Sequence, residues 1–248
     1  MADTPVNVIC MKWGTAYGPH YVNKLRAMAG RHLSRPFRFV CFTDDPSGIR
    51  EDVETQPLPP IEVPERHRIS PWRKLALFTP GLGGLKGKTL FLDLDVVIVG
   101  GLDPFFDYSN KLAIIENWTQ KGQGIGNSSV FCFIPGRFTH VLDRYKAEMR
   151  TLFDRHPNEQ IFLSRTLGRE NLAFWPEEWV RSFKFHCLPG GPLNHVLTPR
   201  IPKGARIVAF HGHPKPEEAI EGRWPKAKWP SKLYKNVRPT PWVKEHWG

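Results

Sequence analysis

The chain has 248 residues, 40% of them apolar, which is enough for one large α/β domain with a substantial core. No apolar run reaches 18 residues, which excludes a transmembrane helix, and the start MADTPVNVIC lacks the basic and apolar segments of a signal peptide, so a cytoplasmic location is expected. The net charge of +11 asks for a polyanionic partner, and Cys10, Cys41, Cys132 and Cys187 are too scattered for a disulfide framework or zinc site.

VNVICM (6–11) predicts a first strand. Tyr21, Leu25, Met28, Ala29 and Leu33 then recur at helical spacing, and FRFVCF (37–42) predicts a second strand. Residues 55–71 read as Pro-rich and irregular, followed by a short helix at WRKLALF that ends near Pro80. GLGGLKGKT has the end of a phosphate-cradling loop, but Leu82 stands where that pattern needs Gly and a strand follows instead of a helix, so a turn is the reading.

TLFLDLDVVIV predicts a central strand pair with Asp93 and Asp95 at the bend. On a strand, alternate residues share a face, so the two acids would point at one spot while Leu94 turns inward. Two apolar-flanked carboxylates repel one another unless a hard divalent cation sits between them. LAIIEN (112–117) and SSVFCFI (128–134) predict further strands around a Gly-rich loop, 137–154 an amphipathic helix, NEQIFLSRTL a short helix, and ARIVAFHGH (205–213) a last strand opening into a polar loop.

This alternation predicts an α/β fold, a mixed but mostly parallel sheet flanked by helices, whose ligands gather at the carboxyl ends of the strands. KWGTAYG, Asp93 with Asp95, and HGHPKP all fall at such ends. Two carboxylates with a divalent ion, plus lysines from distant loops, suit a diphosphate; if that diphosphate leaves, the ion and the lysines stabilise its charge. Residues 221–248 are read as a basic Trp/Pro-rich extension without a helical pattern. It carries seven Lys/Arg against two Glu, together with Trp224, Trp229, Trp242 and Trp247, suited either to an anionic membrane surface or to clamping back onto domain 1–220.

The order KWGTAYG, WRKLALF, FLDLDVVIVG, GNSSVFCF, NEQIFL, HGHPKP resembles the glycosyltransferases of GT-A fold, in particular family 8, over about residues 6–217. The resemblance implies a Rossmann-like GT-A domain that moves a sugar from a nucleotide-diphosphate sugar, UDP-linked, to an acceptor hydroxyl of a carbohydrate or glycolipid, with no nucleic-acid partner. It implies that Asp93 and Asp95 hold Mn²⁺ or Mg²⁺, that Lys12, Tyr17 and Lys74 reach the donor, with Tyr17 on the base, and that Asn127 touches the transferred sugar. Ser129 replaces the family's Gly beside it.

Glu159 and Gln160 match the pair beside the anomeric carbon. Gln160 fits retention of configuration, whereas Glu159 or Asp103 would serve as a base for inversion. Gly212, Lys215 and Pro216 match the family's diphosphate loop, but Ala209 occupies the place of its metal-binding His, leaving His211 or His213 to substitute. The rival readings are a sugar-phosphate nucleotidyltransferase and a basic module that binds polyanions without chemistry.

Overall fold

A computed structural model describes residues 5–225, 229 and 234–248. Its strands are β1 (Val6–Lys12), β2 (Phe37–Thr43), β3 (Glu54–Pro57), β4 (Thr89–Leu92), β5 (Val96–Ile98), β6 (Leu112–Glu116), β7 (Gly126–Phe133), β8 (Leu172–Phe174), β9 (Val180–Ser182) and β10 (Ile207–Ala209). The α-helices are α1 (Pro19–His32), α2 (Asp103–Asp107), α3 (His140–Arg155), α4 (Glu159–Asn171), α5 (Pro216–Glu221) and α6 (Pro241–Trp247).

Seven strands form one sheet in the order β3-β2-β1-β4-β7-β6-β8, and β5-β10-β9 form a second. In the larger sheet only β7 runs against its neighbours; β1 is parallel to both β2 and β4. Every residue of β1 is buried, the polar Asn7 and Lys12 included, as expected of a strand covered on both faces. Alternation splits that run between two cores. Val6, Val8 and Cys10 join Tyr21, Val22, Leu25 and Met28 of α1, while Ile9 and Met11 join Trp72, Phe78, Phe91 and Phe131 on the opposite face. All four cysteines are free and buried.

Several expectations are corrected. WRKLALF is wound as a 3-10 helix, Pro71–Phe78, confined between Pro71 at its start and Pro80 after its end. A short strand, β3, pairs with β2 inside the stretch read as irregular. Asp93 and Asp95 do sit at the expected bend between two strands, but those strands belong to different sheets: the chain leaves the large sheet after Leu92 and enters the small one at Val96. Leu94 is still buried, as alternation required.

The extension is not devoid of helix. Thr240 leads into Pro241 at the first turn of α6, a position where proline's missing N–H costs nothing. α6 packs on α1, α5 and β5, with Val237, Val243 and Trp247 buried in the same core as α1. Trp247 meets the Tyr21 ring at 5.3 Å and the Lys24 ammonium at 4.1 Å. Trp229, by contrast, is exposed; the neighbouring lysines 226, 228 and 232 lie outside the described residues. Trp247→Ala is expected to cost about 3–5 kcal/mol and, at 2–4 °C per kcal/mol, to lower the melting temperature by roughly 10 °C. A loss below about 1 °C in a thermal scan would mean that α6 does not support the core.

Candidate active site

The carboxyl ends of β1 and β4, the start of β7, the start of α4 and the loop after β10 enclose one cavity of about 820 Å³. Its wall includes Trp13 to Tyr17, Lys74, Asp93, Leu94, Asp95, Trp118, Asn127 to Ser129, Asn158 to Gln160, Phe185, His211 and Gly212. Most of the predicted site residues therefore meet in one place.

At its floor Lys74, a buried residue of the 3-10 helix, pairs with Asp93 at 2.7 Å and donates to Ser128 O at 3.2 Å. Burial opposes the ammonium charge, but Asp93, Glu159 and Asp95 together outweigh it and hold the Lys74 pKa above its ordinary value. Asp95 is also buried and accepts from the Tyr17 hydroxyl at 2.6 Å. Burial first, and then the charge of Asp93, push its carboxyl up to about 7. Tyr17 is pushed up likewise, by burial and by Asp95, so it stays a phenol that donates. The Lys215 ammonium lies 4.5 Å from the Tyr17 ring centre and donates to Ala16 O.

The start of β7 organises the adjoining wall. The Ser128 hydroxyl donates to buried Glu159 at 2.5 Å, and its amide reaches the Gln160 side-chain oxygen at 3.4 Å. The Asn127 side chain accepts from the Ser129 amide, and Ser129 O accepts from Asp93 N at 2.8 Å, tying β7 to the acidic turn. Asn158 caps α4 by accepting from Ile161 N at 3.0 Å, which fixes where Glu159 and Gln160 stand.

Past β10, His211 Nε2 is hydrogen-bonded to the Ser182 hydroxyl at 2.7 Å and its ring stacks on Trp118, with centroids 5.8 Å apart. Burial, and then nearby Lys184, lower its pKa to about 4, so the imidazole is neutral at physiological pH. His213 is turned away onto Glu218 at 2.8 Å.

Three predicted residues stand apart from the cavity wall. Lys12 is buried and donates to Asp45 O at 3.1 Å, because β1 carries it toward the 43–47 turn. Lys215 reaches the site only through Tyr17 and Ala16. Asp103 is engaged with Ser34 and Arg35, remote from the wall that Glu159 occupies, so it is not placed as a base. The structure also does not gather His211 with Asp93 and Asp95: among the described residues no group of three His, Cys, Asp or Glu side chains is set to hold one ion. Two carboxylates burdened by their shared negative charge fit a divalent cation in donor type and charge, with the third side-chain ligand not assembled. Trp118, Ser182 and Lys184 had no motif to reveal them.

No family model matches the chain, and no curated protein matches it in sequence. Among solved structures, the galactosyltransferase LgtC in complex with donor and acceptor sugar analogs superposes with a TM-score of 0.60 at 13% identity, covering 98% of this chain and 95% of that one. An active-site glutamine-to-glutamate mutant of LgtC gives 0.58 at 13% identity, with 91% and 92% coverage. The apo form of the glycosyltransferase GlyE in Streptococcus pneumoniae gives 0.57 at 16% identity, covering 86% of this chain and 56% of that one. The expected GT-A fold is thus the fold this chain has.

Proposed function

We propose that this chain, built on the fold of the GT-A glycosyltransferases, is a glycosyltransferase that moves a sugar from a nucleoside-diphosphate sugar, probed first as UDP-sugars, to an acceptor hydroxyl of a carbohydrate or glycolipid, in making cell-surface polysaccharide. The observation that carries this reading is the pairing of partly buried Asp93 with buried Asp95 in the wall of an 820 Å³ cavity that Glu159 and Gln160 also line. A cavity of this size suits a nucleotide sugar, and its lysines and carboxylates suit a diphosphate with a counter-ion.

When bound, Mn²⁺ or Mg²⁺ supplies Lewis-acid neutralisation of the departing diphosphate, and Asp93 and Asp95 would hold it. His211 would have to give up Ser182 to join them. Lys74 orients Asp93 and favours its charged form against the burial that raises its pKa. Tyr17 orients Asp95 and offers a ring face at the mouth of the cavity for a nucleotide base. Gln160 and Asn127 line the same cavity and would meet the donor sugar, where a neutral amide can stabilise developing positive charge without reacting. In the transfer, the bond from the anomeric carbon to the diphosphate breaks, the acceptor oxygen bonds that carbon, and the acceptor's proton leaves with the diphosphate or passes to a carboxylate. Trp118 and Phe185 provide aromatic faces against which an acceptor sugar can lie.

The test is a panel of UDP- and GDP-sugars with Mn²⁺, read by calorimetry and by release of nucleoside diphosphate. Binding of one donor with slow hydrolysis is the expected result, and absence of both for every donor would overturn the reading.

A further inference from the structure

After β9 the chain makes one wide turn, Phe183–Cys187, fastened by Phe183 stacking on Phe210 with centroids 4.3 Å apart. The turn aims Lys184 at the loop following β10. Its ammonium lies 3.5 Å from where a Cβ on Gly212 would sit, and Gly212, at φ +72°, is part of the cavity wall.

Lys184 is half-buried, and among the described residues no acid forms an ion pair with it. Burial and the charge of Lys235, brought in from 51 positions later, both work against the Lys184 charge, and only Asp95 works for it. A lysine held beside the cavity wall with its charge opposed by burial and by a second lysine is suited to an anion. Lys215, three residues after Gly212, presents another ammonium above Tyr17.

We propose that Lys184 is a donor-binding residue whose ammonium engages the diphosphate of the nucleotide sugar, reaching it from beside Gly212. This rests on the donor reading given above and adds to it a cation from a segment without any motif. Gly212 is constrained by its φ of +72°, which side chains rarely adopt, and a Cβ there would come into contact with the Lys184 ammonium.

The experiment is titration calorimetry on the full chain, with and without Mn²⁺, using UDP, GDP, inorganic pyrophosphate and uridine against the unaltered protein, K184M, K184Q and K184R. Loss of one charge-assisted hydrogen bond should weaken UDP and pyrophosphate roughly 10- to 100-fold in K184M and K184Q. K184R should recover most of the affinity, and uridine should bind all four proteins alike. If the unaltered protein binds UDP and both neutral variants bind it within about twofold, the assignment is wrong and the donor reading stands. A parallel fall in uridine affinity would also overturn it, since Lys184 would then be shaping the cavity. If the unaltered protein binds none of UDP, GDP and pyrophosphate, the donor reading itself fails and this assignment falls with it.

Discussion

Asp95→Asn is expected to abolish sugar transfer while raising the melting temperature at pH 8. Asp95 is buried beside Asp93, and its carboxyl titrates at about 7 in place of the ordinary 3.8. Between those values the folded chain holds a proton that the unfolded chain has released. Stability therefore falls as pH rises through this window, and the deficit is complete above about 7. Three units correspond to an upper bound of about 4 kcal/mol. With half of that recovered by Asn, the melting temperature should rise by about 4–8 °C, the Tyr17 hydroxyl still finding an oxygen to donate to.

The unaltered protein should also lose melting temperature between pH 5 and pH 8, whereas the variant should show a flatter profile. Mn²⁺ should raise the melting temperature of the unaltered protein alone, because only there does it relieve repulsion between two carboxylates. A variant that melts lower at pH 8, or still transfers sugar, would show that Asp95 is a structural acid.

The second large effect concerns Lys74. Lys74→Met leaves Asp93 buried without its cation and frees Ser128 O of a donor. Removing one member of a buried pair costs about 3–5 kcal/mol, most of it from the charge left behind. A fall of roughly 10 °C in melting temperature is expected, together with lost donor binding. The double variant Lys74→Met with Asp93→Asn should regain most of the stability and none of the activity, because the orphaned charge has gone but so has the site. If the double variant is as unstable as the single one, the ammonium stem supports the core by packing alone.

What could be read from the chain beforehand followed the strength of its patterning. β1, β2, β4 and β6 are mostly apolar, with few polar residues among them, and such stretches stand out when a strand is covered on both faces. β8 and β9 are three residues each and include Ser182 and Arg181, too short for any period to register. α6 escaped notice because proline, tryptophan and histidine disguise a helix whose buried side chains are only Val243 and Trp247.

In the site, Asp93, Asp95, Lys74, Asn127 and Gln160 sit in motifs tied to strong elements, so their meeting in one cavity was foreseeable. Where Lys12 points could not be read beforehand, because the direction of a strand's last side chain depends on the turn that follows, here the one carrying Asp45 O. Ser182, Lys184 and Trp118 reach the site through pairings between segments far apart in sequence, such as β9 with β10. Local patterns carry no trace of those.

The acidic turn belongs to neither sheet: Leu92 is paired within one and Val96 within the other. Asp95 O accepts from Phe210 N at 2.9 Å, so its backbone is fixed only once β10 has joined β5. During synthesis the larger sheet can assemble while residues past 200 are still to be made. Until they emerge, half of the acidic turn has no anchor. A fragment stopped before residue 207 lacks both the partner of the acidic turn and the side chains that α6 sets in the α1 core, so it should melt well below the full chain and leave the two carboxylates unorganised.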